Sequence, residues 1–470
     1  MDRRHFLKSA LAFPGLSLAN QKKRNVLFIA IDDLRPSIGC YGDPYARTPN
    51  IDALAERGLV FDRAYCQRAL CAPSRASLMT GLRPDTIGVH DMATSFREAV
   101  PDAVSLPRHF KQHGYHVEGV GKIYHGNEVN QDDASWSVPA KYNVGPVKRD
   151  QYALDNHKDS ENEWRKLAAT EMADVPDDAY WDGKVAAEAV SALGRLKDRP
   201  FFLAVGFRKP HLPFAAPKRY WDMHHPDDLP LAPNQQEATN APPFAVPDYS
   251  ELRSYDDIPD EGPLPERLQR HVLHGYYAST TFMDANVGKV LAELDRQGLR
   301  DNTAIVLWGD HGWHLGEQGH WGKITNFEVC VRSPLIVSVP GQPKQGAHTS
   351  ALTEFVDIYP SLADLCGLPI RPELEGHSFA PLLDDPTRQW KRAAFSQYSR
   401  GEVMGRSMRT DPYRYTEWAR PGEAPQAVEL YDHDTDPRET RNIVGEHGKL
   451  VAKLSEQLRA GWRAALPPGA

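Results

Sequence analysis

Residues 25–33 read NVLFIAIDD, a run of apolar and β-branched residues that ends in two aspartates. A run of this length with no polar alternation predicts a strand that is buried on both faces. Such strands are typical of parallel sheets that are covered by helices on both sides. Because the run ends at Asp32 and Asp33, ionisable side chains are expected at the carboxyl end of this strand.

Three further runs of the same kind follow along the chain, at 116–121, 200–207 and 303–309. Helical patterns alternate with them. These patterns cover residues 49–58, 106–113, 181–197 and 265–298. The alternation predicts an α/β fold with a mainly parallel central sheet.

Ionisable residues also follow the three later runs. In chain order they are Lys122 and His125, Lys209 and His211, and Asp310 and His311. In open α/β sheets, ligands bind in the crevice beyond the carboxyl ends of the strands. We therefore expect these loops and the Asp32–Asp33 pair to share one pocket.

Length and composition limit the possible classes of protein. The 470 residues are 25% charged and 41% hydrophobic, as in soluble globular proteins, and no apolar run approaches the ~20 residues needed to cross a bilayer. The formal net charge of -8 disfavours a surface for nucleic acid or another long polyanion. We expect no membrane span and no nucleic-acid partner. Because the chain as a whole is negatively charged, any anion must be bound by a local group of positive side chains.

The chain is long enough for one large domain and a smaller one. Residues 1–19, MDRRHFLKSALAFPGLSLA, resemble a twin-arginine export signal, which predicts a periplasmic protein. The large α/β domain is expected at 20–385. Short strand-like pieces and an amphipathic pattern near 445–465 predict a small C-terminal α+β domain at 386–470.

The Pro- and Asp-rich stretch 222–264 is interpreted as a long loop, either a substrate-facing rim or a solvated insertion.

The stretch CAPSRASLMTG, residues 71–81, predicts a short helix. Pro73 is tolerated in the first turn, and Gly81 suits a left-handed cap at the end. Cys71 would then lie at the helix N-terminus, where a sulfate, a phosphate or a thiolate is favoured, with Arg75 one turn further on. The chain has five cysteines, an odd number, and we take Cys71 to be the one left over. A reactive cysteine and a buried, unmodified one both fit this placement.

Three aspartates at strand ends, Asp32, Asp33 and Asp310, offer hard oxygen ligands. Ligands of this type suit Ca²⁺ or Mg²⁺ rather than a soft metal. Three carboxylates around one divalent ion would repel an anionic substrate unless cationic side chains lie nearby. Arg75, Lys122 and Lys323 are the candidates for that role.

The segment around Cys71 resembles the Cys-x-Pro-Ser-Arg-x-x-x-Leu-Thr-Gly signature of type I sulfatases, with Met79 in place of leucine. Further segments resemble the iduronate-2-sulfatase branch and its bacterial relatives. They are DDLRPSIGCYGD, RPDT, GKIYH, FFLAVGFRKPHLPF, DHGWHLGEQG and RTDPYRYTEW. The resemblance covers nearly all of the chain from Asn25 to Asn442.

The resemblance implies an alkaline-phosphatase-like large domain and a modified cysteine. In this family the cysteine is oxidised to formylglycine, whose hydrate attacks the sulfur of a sulfate ester; Cys71 is the matching residue, and a formylglycine-generating enzyme would be required. The resemblance also implies that Ca²⁺ is bound, with Mg²⁺ as the other candidate. The implied ligands are Asp32, Asp33, Cys71, Asp310 and His311.

The remaining roles are also carried over from the family. By resemblance, His125 is the base that allows sulfate to leave, and His211 lies on the leaving-group side. Lys323, in the segment WGKITNF, matches a family lysine. His90, His314 and His320 are further residues that could reach the pocket, but no role is assigned to them.

These observations predict an exported, Ca²⁺-dependent sulfatase that acts on a sulfated carbohydrate, such as the 2-O-sulfate of a uronic acid. Three alternatives stay open. One is a phosphodiesterase or phosphonate monoester hydrolase of the same superfamily, and another is a non-catalytic protein that binds sulfated glycans. The third is a thiol hydrolase that uses Cys71 with His125, which would leave the aspartates without a role.

Overall fold

The computed structural model describes residues 23–126, 130–144, 152–154, 168–248 and 250–469. The predicted export signal, residues 1–19, lies outside the described residues, so it stays a prediction. The described part of the chain contains no helix that is both long enough and apolar enough to span a membrane.

The large α/β part of the chain contains thirteen described strands and eleven described α-helices, besides short 3-10 helices. The strands are β1 Asn25–Ile31, β2 Leu59–Phe61, β3 Ala64–Tyr65, β4 His116–Gly121, β5 Thr170–Ala173, β6 Phe201–Phe207, β7 Phe214–Pro217, β8 Thr303–Gly309, β9 His314–Leu315, β10 Trp321–Gly322, β11 Leu335–Ser338, β12 Ala347–Thr349 and β13 Thr353–Glu354. The helices are α1 Pro49–Ala55, α2 Cys71–Thr80, α3 Pro84–Ile87, α4 Phe96–Ala99, α5 Leu106–Gln112, α6 Trp181–Leu196, α7 Lys218–Trp221, α8 Glu266–Arg296, α9 Glu328–Val331, α10 Ile358–Leu365 and α11 Ala380–Asp384.

Seven strands form the central sheet, in the order β12-β2-β11-β8-β1-β6-β4. The neighbours β8, β1, β6 and β4 are all parallel; for example, Leu27 pairs with Leu203 on one side and with Ile305 on the other. Only β11 runs antiparallel to its neighbours among the described strands of this sheet. The predicted α/β class with a mainly parallel central sheet is confirmed.

Strand β1 is fully buried because its alternate side chains enter two separate cores. Val26 and Phe28 pack in one core with residues of α2, α5 and α10. Leu27 and Ile29 pack in the other core with residues of α6 and α8. Helices therefore cover both faces of the sheet, which explains why β1 lacks polar alternation.

The C-terminal part contains a four-stranded antiparallel sheet, ordered β14-β15-β16-β17, and one longer helix. The elements are β14 Ala394–Arg400, β15 Val403–Arg409, β16 Tyr413–Ala419, β17 Ala427–Asp432 and α12 Gly448–Ala460. Leu454 of α12 packs against Met408, Tyr415 and Leu430 of the sheet. These elements form the small α+β unit that was predicted, whereas the boundary at 385/386 stays a prediction.

One sequence expectation needs correction, and one alternative that was left open is excluded. All five cysteines are free, so Cys71 is not the single one left over from disulfide pairing. The stretch 222–264 is not merely a solvated insertion, since Leu252 and Tyr255 are buried in an apolar cluster with residues of α8. Sequence periodicity does not reveal this packing, because only isolated side chains of the stretch are buried.

Candidate active site

Parallel strand ends bring the predicted acidic residues together. Asp32 and Asp33 follow β1, and Asp310 follows the adjacent strand β8. The three carboxylates are buried, and their ligand oxygens lie within 4.8 Å of one another. The backbone N–H of Asp33 also donates to Oδ1 of Asp310, at 3.0 Å. Three buried carboxylates thus converge at one edge of the sheet.

Cys71 lies against this acidic group. Its Sγ is 3.4 Å from Nε2 of His311 and 3.5 Å from Nζ of Lys323. The ligand atoms of Cys71, Asp33 and His311 also lie within 4.8 Å of one another. Residue 71 and the acidic cluster therefore occupy one buried cleft, built from separate segments of the chain.

Helix α2 presents this cysteine at its first position. Leu70, the residue before the helix, provides no side-chain cap, so the helix N-terminus favours an anion in the cleft. In the first turn, the Ser74 hydroxyl donates to the backbone carbonyl of Asp310 at 2.5 Å and ties the helix to the end of β8. Gly81 ends the helix with a φ of 68°, in the left-handed region that was predicted.

Three cationic side chains surround the carboxylates. The Arg75 guanidinium contacts Asp310 at 2.8 Å and Asp32 at 3.2 Å. Nζ of Lys122 lies 2.5 Å from Oδ2 of Asp32. Nζ of Lys323 lies 2.9 Å from Oδ1 of Asp33. Each predicted cation therefore pairs directly with the acidic cluster.

The two aspartates after β1 differ electrostatically. Burial raises the pKa of both carboxyl groups, but Lys122 and the other cations hold the pKa of Asp32 well below its usual range. The pKa of Asp33 lies well above its usual range, because burial outweighs Lys323 and the charge of Asp32 adds to the increase. The three cations thus offset the charge of the carboxylates, and a bound divalent cation would favour the ionised form of Asp33. The hard oxygen donors of the acidic cluster fit Ca²⁺ or Mg²⁺.

The two predicted catalytic histidines differ in placement. Nε2 of His211, in the loop after β6, lies 3.8 Å from Oδ2 of Asp33. The His125 ring forms no hydrogen bond or ion pair with the described residues, and its buried Nδ1 has no partner. Burial and the neighbouring Lys122 lower the pKa of His125 to about 3, so its ring is neutral near pH 7. His211 is thus part of the cluster, whereas His125 lies at its edge.

Sequence reasoning missed Glu251, which the long stretch 222–264 brings to the site. Its carboxylate lies 3.2 Å from Nζ of Lys323 and 3.5 Å from Nε2 of His211. The Pro- and Asp-rich composition of the stretch contains no signal that singles out this residue. Glu251 therefore joins the candidate site only through tertiary packing.

The three histidines without an assigned role occupy supporting or outer positions. His314 bonds to the Thr325 hydroxyl at 2.9 Å, and His320 lies 3.0 Å from the backbone carbonyl of Lys323. His90 lies 3.6 Å from Asp85, outside the acidic cluster. None of the three contacts the three aspartates in the described part of the chain.

Comparison with known proteins identifies the family of the chain. The family model described as Sulfatase matches residues 24–368, and the one described as N-sulphoglucosamine sulphohydrolase, C-terminal, matches residues 316–463. The chain is 35% identical to iduronate 2-sulfatase of Mus musculus, over 92% of this chain and 93% of the relative. It is 33% identical to iduronate 2-sulfatase of Homo sapiens, over 90% and 91%.

A solved structure, the phosphonate monoester hydrolase of Silicibacter pomeroyi, has the same fold. It superposes with a TM-score of 0.77 at 22% identity, covering 95% of this chain and 96% of that one. The fold, the convergent strand ends and the matches over most of the sequence lead to one assignment: the chain belongs to the sulfatase family of sulfuric ester hydrolases.

Proposed function

We propose that this protein hydrolyses a sulfate ester of a sulfated carbohydrate, such as the 2-O-sulfate of a uronic acid. The observation that carries the proposal is the buried cleft in which Cys71 meets three carboxylates and three cations. The similarity to iduronate 2-sulfatases over at least 90% of the chain supports the substrate class.

The reaction that we propose uses a modified residue 71 and a divalent cation, with Ca²⁺ preferred. Residue 71, once converted to formylglycine, would supply a hydroxyl nucleophile for the sulfur of the ester, so that the S–O bond to the sugar breaks; sulfate would then leave as the aldehyde forms again. Asp32, Asp33, Asp310 and His311 would hold the cation, which supplies positive charge next to the sulfate oxygens.

Other side chains of this protein would balance the charge of the cleft and transfer protons. Lys122, Lys323 and Arg75 offset the carboxylates, so that the cleft with its cation attracts an anionic ester. His211 lies on the leaving-group side, where Nε2 is 3.5 Å from Glu251 and 3.8 Å from Asp33. Burial and Lys323 lower the pKa of its ring, whereas Glu251 opposes this and would favour the protonated ring that the departing sugar alcohol requires. His125 is neutral near pH 7, so a ring nitrogen is free to accept a proton from the hydrate, although its low pKa makes it a weak base.

Mass spectrometry of the peptide that contains residue 71 tests the modification. The protein must be produced together with a formylglycine-generating enzyme. We expect this peptide to lack sulfur and to resist alkylation by a thiol reagent. An unmodified, alkylatable Cys71 in a fully active enzyme would contradict the proposal and favour the thiol hydrolase.

Activity assays test the reaction class and the cation. We expect hydrolysis of an aryl sulfate to exceed that of an aryl phosphodiester, to stop after chelation and to return with Ca²⁺. Asp310→Asn should lose this recovery. A faster reaction with the phosphodiester would favour the alternative hydrolase of the same superfamily.

The cellular location is a separate proposal. We infer that the chain is exported to the periplasm, because residues 1–19 contain Arg3 and Arg4 followed by a short apolar stretch. Fractionation of cells that express the full chain tests this. Replacing both arginines by lysine should retain the protein in the cytoplasm, and unchanged export would rule out the twin-arginine route.

A further inference from the structure

Two arginines near the candidate site share one aromatic partner. The guanidinium carbon of Arg68 lies 4.3 Å from the ring centre of Tyr398, and that of Arg400 lies 5.0 Å from it. Arg68 is only 2% exposed, and Arg400 is partly buried. We refer to Arg68, Tyr398 and Arg400 as the arginine cluster.

Neither guanidinium of the arginine cluster forms an ion pair with a carboxylate in the described part of the chain. Arg68 donates to the Ser399 hydroxyl at 2.9 Å, and Arg400 donates to backbone carbonyls. The Nε atom of each arginine is buried without a hydrogen-bond partner. Buried charges are normally paired, so two such groups side by side are unusual.

Other buried arginines of this protein show the contrast. Arg83 and Arg414 pair with buried glutamates, and their pKa values are raised. Burial instead lowers the pKa of Arg68, and it lowers that of Arg400 to about 10. Asp85, a nearby acid, is already bound by Arg406 and by Gln397. The arginine cluster therefore has unused capacity to bind an anion.

The arginine cluster lies next to the catalytic cleft. Arg68 precedes Cys71 by three residues, and the carbonyl of Ala69 accepts a hydrogen bond from the N–H of Ile324, which follows Lys323. Lys323 is also close enough to Tyr398 to lower the pKa of its phenol against the effect of burial. A sugar whose sulfate lies at Cys71 would thus have a second cationic position within reach.

We propose that the arginine cluster binds a second anionic group of the glycan, a carboxylate or a further sulfate, while the scissile sulfate lies at Cys71. Guanidinium groups recognise both kinds of oxyanion through paired hydrogen bonds. This inference rests on the proposed function and assigns a binding position to a second anionic group of that glycan, either the carboxylate of the uronic acid or a sulfate on the adjoining sugar. The binding energy comes from charges that the folded protein leaves without a counter-ion.

Kinetics with defined substrates test this inference. The probe is a disaccharide with a 2-O-sulfated uronic acid at its non-reducing end and a second sulfate on the other sugar. Two further disaccharides, one with its carboxyl group reduced to an alcohol and one without the second sulfate, identify which anion is bound. The aryl sulfate, which has no second anion, is the reference substrate.

Arg68→Gln and Arg400→Gln should each lower kcat/KM for the disaccharide by about ten- to a hundredfold, the loss expected when a hydrogen bond to a charged group is removed. The rate with the aryl sulfate should stay within about twofold. Against the disaccharide that lacks the recognised anion, the variants and the wild-type protein should be equal. Arg441→Gln is the matched control, because Arg441 is exposed and already pairs with Glu446 at 2.5 Å.

Folding and catalysis are controlled separately. Arg68→Lys keeps the charge and should recover part of the loss, and if Arg68→Gln fails to fold, the partly buried Arg400 carries the test. Equal losses with both substrates, or no loss with either, would overturn the inference while leaving the proposed function intact. If the wild-type protein hydrolyses no sulfate ester, the proposed function fails. Calorimetric titration of the Cys71→Ala protein with the disaccharide then tests the arginine cluster by itself. Adding Arg68→Gln should weaken disaccharide binding about tenfold, and unchanged binding would reject the inference.

Discussion

Asp33 adopts a backbone conformation that is uncommon for a residue with a side chain. Its φ is 56°, in the left-handed region. Two hydrogen bonds hold it there: its N–H donates to Asp310 at 3.0 Å, and its carbonyl accepts from the Tyr276 hydroxyl at 2.9 Å. Strained backbone of this kind persists where surrounding contacts enforce it, often at functional sites. Tyr276 thus helps to aim the Asp33 carboxylate into the cleft.

Tyr276→Phe should therefore weaken binding of the proposed divalent cation, tested with Ca²⁺, by about 10- to 100-fold, the usual effect of losing a group that orients a ligand. Calorimetric titration of the metal-free protein with Ca²⁺ measures this affinity directly. Tyr277→Phe is the control, because the Tyr277 hydroxyl binds Asp43 instead, at 2.7 Å. Equal Ca²⁺ affinities in both variants would show that Tyr276 does not position Asp33.

Helix α2 depends on its C-terminal glycine. Gly81 has a φ of 68°, and a Cβ atom there would lie 2.6 Å from Leu374 and 3.2 Å from Tyr359. Gly81→Ala should lower the free energy of unfolding by at least roughly 1–2 kcal/mol, the cost of left-handed backbone for a residue with a Cβ. Denaturant unfolding measures the loss.

A glycine without these constraints provides the comparison. Gly448 begins α12, and a Cβ atom there would have no neighbour within 4 Å. Gly448→Ala should leave the unfolding midpoint unchanged or raise it slightly. If Gly81→Ala behaved in the same way, the left-handed cap would not be needed to hold Cys71 and Arg75 in place.

A buried ionic network joins the C-terminal sheet to α9 of the large α/β part. Arg414 of β16 binds Glu439 and also Glu328, the first residue of α9. Glu328 in turn accepts a hydrogen bond from the Tyr65 hydroxyl at 3.0 Å. Removing the cation would leave one buried carboxylate, Glu439, and one largely buried carboxylate, Glu328, without their main partner.

Arg414→Met should therefore destabilise the protein by about 3–5 kcal/mol. Arg420→Met is the control, since Arg420 forms an exposed pair with Glu402 at 3.9 Å and should cost less than about 1 kcal/mol. Thermal and denaturant unfolding of both variants measure the difference. If both variants lost less than about 1 kcal/mol, the ionic network would contribute little to the stability of the contact between the C-terminal sheet and the large α/β part.

Buried histidines make the stability of the fold depend on pH. Burial lowers the pKa of His109 and of His224 to about 4 each. The ordinary value, about 6.5, applies to the unfolded chain. Between these values the unfolded chain binds more protons, so the free energy of unfolding rises with pH, and the stability is lost as the pH falls from about 6.5 towards 4.

Thermal unfolding between pH 7.5 and 4.5 tests this dependence. The melting temperature should fall in acid, and His224→Gln should reduce the slope. His225→Gln is the matched control: His225 is exposed at the adjacent position, so its replacement should not alter the slope. A slope that His224→Gln leaves unchanged would contradict the assignment.

The sequence alone predicted the four parallel strands β1, β4, β6 and β8 and the meeting of Asp32, Asp33 and Asp310. A continuous apolar run identifies a buried strand, and parallel strands place their carboxyl ends at one edge of the sheet. The motif around Cys71 likewise predicted a helix with the cysteine at its N-terminus, because the positions of proline and glycine are local signals.

Only the tertiary structure decided which other side chains reach this edge. Glu251 arrives there because Leu252 and Tyr255 anchor its segment in an apolar cluster, a long-range contact without periodicity. Long-range packing also decides whether a buried arginine forms an ion pair with a carboxylate. Arg68 lies just before α2 and Arg75 lies within it, yet among the described residues only Arg75 pairs with a carboxylate. Arg75 faces Asp310 at the end of β8, whereas Arg68 faces the Tyr398 ring of β14, so the distant strand opposite each guanidinium decides its pairing.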